Sequence, residues 1–226
     1  MREQHMAYDG HVEPDGDWIE RVDGPLRVRK LSVEEMDNNV YVLSCTRTGA
    51  GLLLDVAARP VRLLEATEDV DLVAAAQTHG HWDHVRAWET LVDEHGWQVW
   101  GHPSDAVEGM FPREPDLALA DGDVLEVGDL RVEVLHIPGH TPGSLTYLVE
   151  GEQYERPHLF TGDSLFPGGF GNTFGSDEAF AQLSSGMVER VFDRLPDKTW
   201  VYPGHGDDTT LGAERPNVPE WLERGW

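Results

Sequence analysis

The 226-residue sequence contains one cysteine, Cys45. An internal disulfide is therefore excluded, a reducing compartment is implied, and any metal must be held by histidine and carboxylate rather than by a cysteine-rich cage. Basic residues are scarce as well: 17 Lys and Arg stand against 42 Asp and Glu, a formal charge of −25. A phosphate backbone is gripped mainly by Lys and Arg, so a surface this negative argues against nucleic acid as a partner. No run approaches the roughly 18 to 20 continuous apolar residues that a bilayer crossing needs. The start, Met1-Arg2-Glu3-Gln4-His5, also lacks the apolar segment of a signal peptide. Neither membrane nor export is expected, and the location reads as cytoplasmic. With 39% hydrophobic and 9% aromatic residues the chain has material for a sizeable core.

Residues 1–17 are polar and without apolar period, which predicts a loose N-terminal arm ahead of one domain over 18–226 that ends in a short tail. Leu26 to Arg29, Asn39 to Leu43 and Gly51 to Val56 read as strands of an opening antiparallel meander. Pro60 to Thr67 fits a short helix, and Asp71 to Thr78 a buried strand ending at His79. Val85, Trp88, Leu91 and Val92 recur at helical spacing and predict an amphipathic helix closed by Gly96. Gln98 to Trp100 reads as a short strand. Residues 102–120, with three prolines and an exposed-looking Met110-Phe111, read as a long surface loop. Val124 to Val127 and Leu130 to Leu135 flank Gly128-Asp129 as a hairpin. Leu145 to Val149 and His158 to Phe160 continue the strands. Phe180, Leu183, Met187, Val191 and Leu195 mark one face of a helix capped by Ser176, although Gly186 inside it costs roughly 1 kcal/mol relative to Ala. The tail Pro216 to Trp226 is too short for a domain, so Trp221 and Trp226 should dock on the chain's own surface or on a second subunit.

The chemistry is concentrated in Thr78-His79-Gly80-His81-Trp82-Asp83-His84, where three imidazoles and one carboxylate follow a buried strand. Neighbours such as Asp83 and His84 point in different directions, so two metals served from one loop is the natural reading. Three later turns offer further donors: Pro138-Gly139-His140-Thr141-Pro142-Gly143-Ser144, Thr161-Gly162-Asp163-Ser164 and Tyr202-Pro203-Gly204-His205-Gly206. In each, glycine permits a tight backbone and, in the first and last, proline stiffens the approach. Imidazole with carboxylate is a donor set for zinc, iron or manganese. His5, His11, His95, His102, His136 and His158 lack such a pattern and read as solvated or structural.

These motifs, in this order and spacing, resemble the metallo-β-lactamase-fold hydrolases, and among them the glyoxalase II-like (hydroxyacylglutathione hydrolase-like) members. The resemblance covers about residues 25–215 and implies an α+β fold, a four-layer αββα sandwich of two mixed sheets with helices outside. It assigns His79, His81 and His140 to a first metal and Asp83, His84 and His205 to a second, with Asp163 bridging. Asp55 matches an acidic position beneath the site and is read as support for the ligand loop.

Two divalent ions about 3.5 to 4 Å apart share one water and lower its pKa towards neutrality, which predicts a bridging hydroxide attacking a carbonyl. Asp83 is the one catalytic carboxylate available to move a proton. A thiolate leaves almost unaided whereas an alkoxide or amine needs a proton, so thioester hydrolysis of an acylated small-molecule thiol leads. Only 21 residues follow His205, too few for the helical domain that supplies much of the glutathione site in full-length relatives. Asn172 also stands where related short enzymes often carry Arg. Phe166, Phe170, Asn172 and Phe174 are read as a substrate-facing loop. A lactonase with the same seven ligands is one alternative. A persulfide dioxygenase-like oxygenase, with one iron on His79, His140 and Asp163, is another. A β-lactam hydrolase is disfavoured because those enzymes generally lack the carboxylate corresponding to Asp163.

Overall fold

The computed structural model describes residues 8–225. Strands β1 (Ile19–Asp23), β2 (Leu26–Val33), β3 (Asn38–Cys45) and β4 (Ala50–Leu54) form the expected antiparallel meander. Helix α1 (Pro60–Thr67), with Pro60 at its first turn, then crosses over to β5 (Asp71–Ala76), which pairs parallel to β4. β6 (Val99–Gly101) and β7 (Leu117–Ala118) complete a seven-stranded sheet in sequence order. The second sheet has the order β15-β14-β11-β10-β9-β8. Its members are β8 (Val124–Val127), β9 (Leu130–His136), β10 (Leu145–Val149), β11 (His158–Gly162), β14 (Trp200–Pro203) and β15 (Thr209–Thr210). A separate hairpin, β12 (Leu165–Phe166) with β13 (Gly169–Phe170), projects after β11.

Side-chain alternation builds the layers. Leu43, Leu52, Leu54 and Ala76 from the first sheet meet Val132, Tyr147 and Phe160 from the second in one inter-sheet core. The opposite faces carry Val42, Leu53 and Ala75 against Leu63 of α1 and Trp88, and Leu135 and Leu148 against Leu183 and Met187 of α3 (Asp177–Met187). Burial on both faces explains the nearly continuous apolar strands. The result is four layers, helix, sheet, sheet, helix.

Several local expectations are corrected. Residues 85–96 do not form one α-helix: Trp82–His84 is a 3₁₀ turn, and Glu89–Glu94 a wide π-type turn that ends at Gly96 with φ 74°. The 102–120 stretch contains α2 (Pro103–Val107), and Phe111 is buried against Trp88 rather than exposed. α3 starts at its Ser176 cap, whose Oγ accepts from the Ala179 N–H at 3.2 Å, but yields to a π-type turn over Val188–Phe192. Gly186 lies where a Cβ would stand 3.0 Å from Ile137, so close helix–sheet packing accounts for it. Of the expected loose arm, residues 1–7 lie outside the described residues, whereas 8–17 lie on the body: Tyr8 donates to Asp208 at 2.7 Å and Val12 is buried. Beyond α4 (Leu211–Glu214), helix α5 (Val218–Arg224) docks Trp221 on this chain's own surface, edge-on to Phe170. Trp226 lies outside the described residues.

Candidate metal centre

The seven predicted donors come from strand ends at one edge of the sandwich. His79, His81, Asp83 and His84 follow β5, His140 lies in the β9–β10 turn, Asp163 follows β11, and His205 follows β14. Hydrogen bonds staple that edge: Leu145 N–H to the Thr78 carbonyl at 2.7 Å, Gly204 N–H to Gly162 at 2.9 Å, and Asn39 N–H to Gly204 at 2.8 Å. A register shift between Phe160 and Gly162 ends the β11–β14 ladder just before Asp163.

Two groups of three form. Donor atoms of His79, His81 and His140 lie within 4.8 Å of one another, as do those of Asp83, His84 and His205. In the second group His84 Nε2 stands 3.2 Å from His205 Nε2, and Asp83 Oδ2 stands 3.6 Å and 3.4 Å from those nitrogens. Four donors about 2.0 to 2.1 Å from a common ion would be about 3.3 Å apart, so these edges suit a shared cation. Asp163 lies between the groups, with Oδ1 3.5 Å from His84 Nε2 and Oδ2 3.4 Å from His140 Nε2 and 3.5 Å from His205 Nε2.

The outer ring nitrogens are tied elsewhere, which aims the inner ones at the centre. His84 Nδ1 meets Asp55 Oδ2 at 2.8 Å, His140 Nδ1 the Asn172 carbonyl at 2.8 Å, and His205 Nδ1 the Met36 carbonyl at 2.7 Å. His79 Nδ1 meets Thr78 Oγ1 at 3.0 Å. His79 Nε2, His140 Nε2 and Asp163 Oδ1 are buried without a hydrogen-bond partner. Such orphans are costly unless something fills the centre, and a cation is what imidazole lone pairs and a carboxylate accept. The residues present therefore fit a pair of metal ions. Glycine makes room for Asp163: a Cβ on Gly204 would sit 2.1 Å from its Oδ1.

Electrostatics follow from burial and proximity. Burial, reinforced by neighbouring imidazoles, holds His79 well below the usual histidine range. His81 and His140 are also lowered, mainly by burial, against the pull of nearby carboxylates. For His84 burial is outweighed by Asp163, Asp55 and Asp83, and its pKa rises. For His205 burial is again outweighed, by hydrogen bonds to Asp163 and Asp83 that push it up to about 10. Burial would raise Asp83 and Asp163, but the adjacent imidazoles overcome it and both stay below the ordinary carboxylate range. The carboxylates that a cation would neutralise thus draw His84 and His205 towards their protonated forms.

Asp55 does lie beneath the site, with φ 66°, a left-handed conformation that Asp tolerates. It accepts from Thr78 N–H at 2.6 Å and Thr78 Oγ1 at 2.7 Å while meeting His84. Asp55, His79 and His84 also lie within 4.8 Å of one another, but Asp55 Oδ2 is already engaged by His84 and Thr78. That triad is a hydrogen-bonded support beneath the cluster.

The four residues expected to form a substrate-facing loop take different places. Phe170 is buried in the core with Phe192 and Trp221, because β13 turns it inward. Phe166 is half-buried with its ring 6.3 Å from His205. Phe174 is exposed beside His81 and His140. Asn172 uses its carbonyl on His140 and its side-chain oxygen on the Phe174 N–H.

Sequence reasoning missed two residues. Asn38 donates to Asp83 Oδ2 at 2.9 Å. Asp105, fully buried, accepts from Gly80 N–H at 2.8 Å, Thr141 Oγ1 at 2.8 Å and Gly143 N–H at 2.6 Å, so it ties the His79–His81 loop to the His140 turn. Among the other histidines, His102 and His136 stack with centroids 3.9 Å apart, and His158 is buried between Asp23 and Tyr202. His5 lies outside the described residues.

Comparison with known proteins agrees with this geometry. The pattern of the Metallo-beta-lactamase superfamily matches residues 34–205, which include all seven donors. Hydroxyacylglutathione hydrolase GloC of Haemophilus influenzae is 30% identical over 186 residues, 74% of this chain and 85% of its own. ETHE1 from Myxococcus xanthus superposes with TM-score 0.72 at 30% identity, covering 85% of this chain and 83% of its own. TTHA1623, solved in a di-iron-bound form, does so with TM-score 0.62 at 30% identity, covering 82% and 96%. With fold, donor cluster and superfamily pattern coinciding, the chain belongs to the metallo-beta-lactamase superfamily.

Proposed function

We propose that the chain is a thioester hydrolase of the glyoxalase II-like kind working with two divalent ions. The observation that carries this reading is the place of Asp163, whose two oxygens face His84 on one side and His140 on the other. His79, His81 and His140 would hold one ion, Asp83, His84 and His205 the second, and Asp163 would be shared. Zinc suits this donor set, with iron, as in the di-iron-bound relative, and manganese as its competitors. When bound, two such ions supply a water ionised near neutral pH and a Lewis-acid contact for a carbonyl oxygen.

The chain's own residues set the rest. Asp83, ionised and steadied by Asn38, is the carboxylate placed to take a proton at the centre. Among the described residues no Lys, Arg or Tyr side chain hydrogen-bonds to the seven donors, so a leaving group gains no proton from such a neighbour. A thiolate, with a conjugate acid near pKa 8.5, departs under those conditions far more readily than an alkoxide or amine. The substrate is accordingly an acylated small-molecule thiol. A cytoplasmic setting suits the single buried thiol, Cys45.

Two further readings use the same residues. A lactonase would need no change in the donors. The likeness to ETHE1 fits an oxygenase with one iron on His79, His140 and Asp163. A panel of thioesters, lactones and persulfides, run on protein of known metal content, decides among them. Thioester turnover that His81→Ala abolishes supports the hydrolase. Thiol-dependent oxygen uptake with one iron per chain would replace it with the oxygenase, and full activity in His81→Ala would refute the two-ion site.

A further inference from the structure

The rim of the cluster is apolar, and the two cations of the adjoining cavity are already paired. Phe174 is 68% exposed yet sits at φ 54°, a conformation that a bulky residue adopts at a cost. A 2.6 Å hydrogen bond from its N–H to Asn172 Oδ1 fixes it there, with its ring 5.6 Å from that of His81 and 5.8 Å from that of His140. Strain retained to keep an aromatic ring in solvent beside the reacting centre points to contact with substrate. Trp82 is 61% exposed next to His81. Met36 is 47% exposed, and its carbonyl holds His205. Phe166 approaches His205 from the β12–β13 hairpin.

The charges around this rim do not favour an anion. A cavity of about 390 Å³ beside the rim is lined by Glu34, Glu35, Met36, Arg59, Trp82 and Arg86. Its two guanidinium groups are engaged: Arg86 pairs with Glu34 and stacks 5.3 Å over Trp82, and Arg59 pairs with Asp15 at 2.8 Å and Glu34 at 3.5 Å. Glu35 is exposed. Arg224 lies against Gly169, beyond Phe166 on the hairpin. A thiol with two carboxylates, such as glutathione, would meet carboxylates and apolar side chains along most of this mouth.

We infer that the substrates of this site are thioesters in which both the acyl group and the thiol are uncharged, with an aromatic or branched apolar acyl part resting on Phe174 and Trp82. This rests on the thioester reading above. Hydrolysis is balanced by water alone: its oxygen bonds to the carbonyl carbon, the C–S bond breaks, and the thiol and carboxylic acid leave with its two protons.

The test compares one acyl group, phenylacetyl, on N-acetylcysteamine and on glutathione. It adds calorimetric binding of the corresponding non-hydrolysable S-phenethyl thioethers. For the metal-loaded protein the neutral thioester is expected to exceed the glutathione thioester at least 10-fold in kcat/KM, and the neutral thioether to bind at least 10-fold tighter. Phe174→Ala should lower kcat/KM for the neutral thioester about 10-fold, leave metal content unchanged, and be largely rescued by Phe174→Tyr. Equal or better use of the glutathione thioester, lost in Arg224→Ala, overturns the inference while leaving the thioesterase reading intact. If no thioester is cleaved the thioesterase reading fails, and the thioether binding still decides the preference of the rim.

Discussion

Replacing Asp105 by Ala should separate the two metal groups. The Asp105 carboxylate is fully buried and accepts three hydrogen bonds, two from the His79–His81 loop side and the Thr141 hydroxyl on one oxygen and one from Gly143 on the other. Hydrogen bonds to a charged group contribute about 1.5 to 3 kcal/mol each, and a water entering the vacated space would satisfy some of the stranded donors. The net loss should be about 3 to 5 kcal/mol, which a domain of ordinary stability survives. At about 2 to 4 °C per kcal/mol for a chain of this size, Tm should fall by about 10 °C. With the His79–His81 loop no longer tied to the His140 turn, affinity at that group should drop 10- to 100-fold. Asp83, His84 and His205 keep their own supports, Asn38, Asp55 and the Met36 carbonyl, so one ion should remain tightly held. Chelator competition with zinc, followed by calorimetric melting, reads both effects. Two ions retained at unchanged affinity, whatever happens to Tm, would show that Asp105 does not position the donors.

Other outcomes follow from the same structure. Asp55→Ala strands Thr78 N–H and frees His84 Nδ1; zinc affinity should fall 10- to 100-fold at the Asp83–His84–His205 group, and unchanged metal content in elemental analysis would rule out its supporting role. Lys30 donates to the Gly10 and Gly206 carbonyls and to Asp208, both charged side chains being fully buried; Lys30→Met should cost about 3 to 5 kcal/mol in urea unfolding by leaving the buried Asp208 carboxylate without its cation. Burial lowers His158 from 6.5 to about 4 despite its bond to Asp23. The unfolded chain therefore takes up this proton first as pH falls. The stability due to His158 is complete above about pH 6.5 and is lost on going down to about 4, about 3 kcal/mol at most. In His158→Gln the difference in unfolding free energy between pH 7 and pH 4.5 should shrink accordingly.

How much was legible in the sequence depended on whether a local signal competed with tertiary contacts. α1 appears at Pro60–Thr67, where proline starts the helix and its N–H groups need no partner from elsewhere in the fold to set the turns. The donors could be read because four fall within six residues and the rest lie in Gly-flanked turns at strand ends. The helix expected after His84 fails for a tertiary reason: Ala87 N–H is taken by the Val56 carbonyl, so regular turns cannot propagate until Trp88. At 188–192 the Asp193 N–H reaches back five residues to Val188, a widening that no side-chain period reveals. Phe170 and Phe174 are alike in sequence, yet one caps the core and the other faces solvent, because the chain leaves β13 after Phe170 and bends through a left-handed conformation at Phe174. In the sequence Asp105 is one acid among others in a stretch that reads as a surface loop; its partners lie 25 to 38 residues away.

The most direct measurement is the number of metal ions bound per chain, determined by elemental analysis on wild type and on Asp163→Ala after equilibration with zinc. Wild type is expected to hold two ions, and tight binding should be lost at both groups when the shared carboxylate is removed. A single ion in wild type, or two ions held as tightly without Asp163, would contradict the shared two-ion centre.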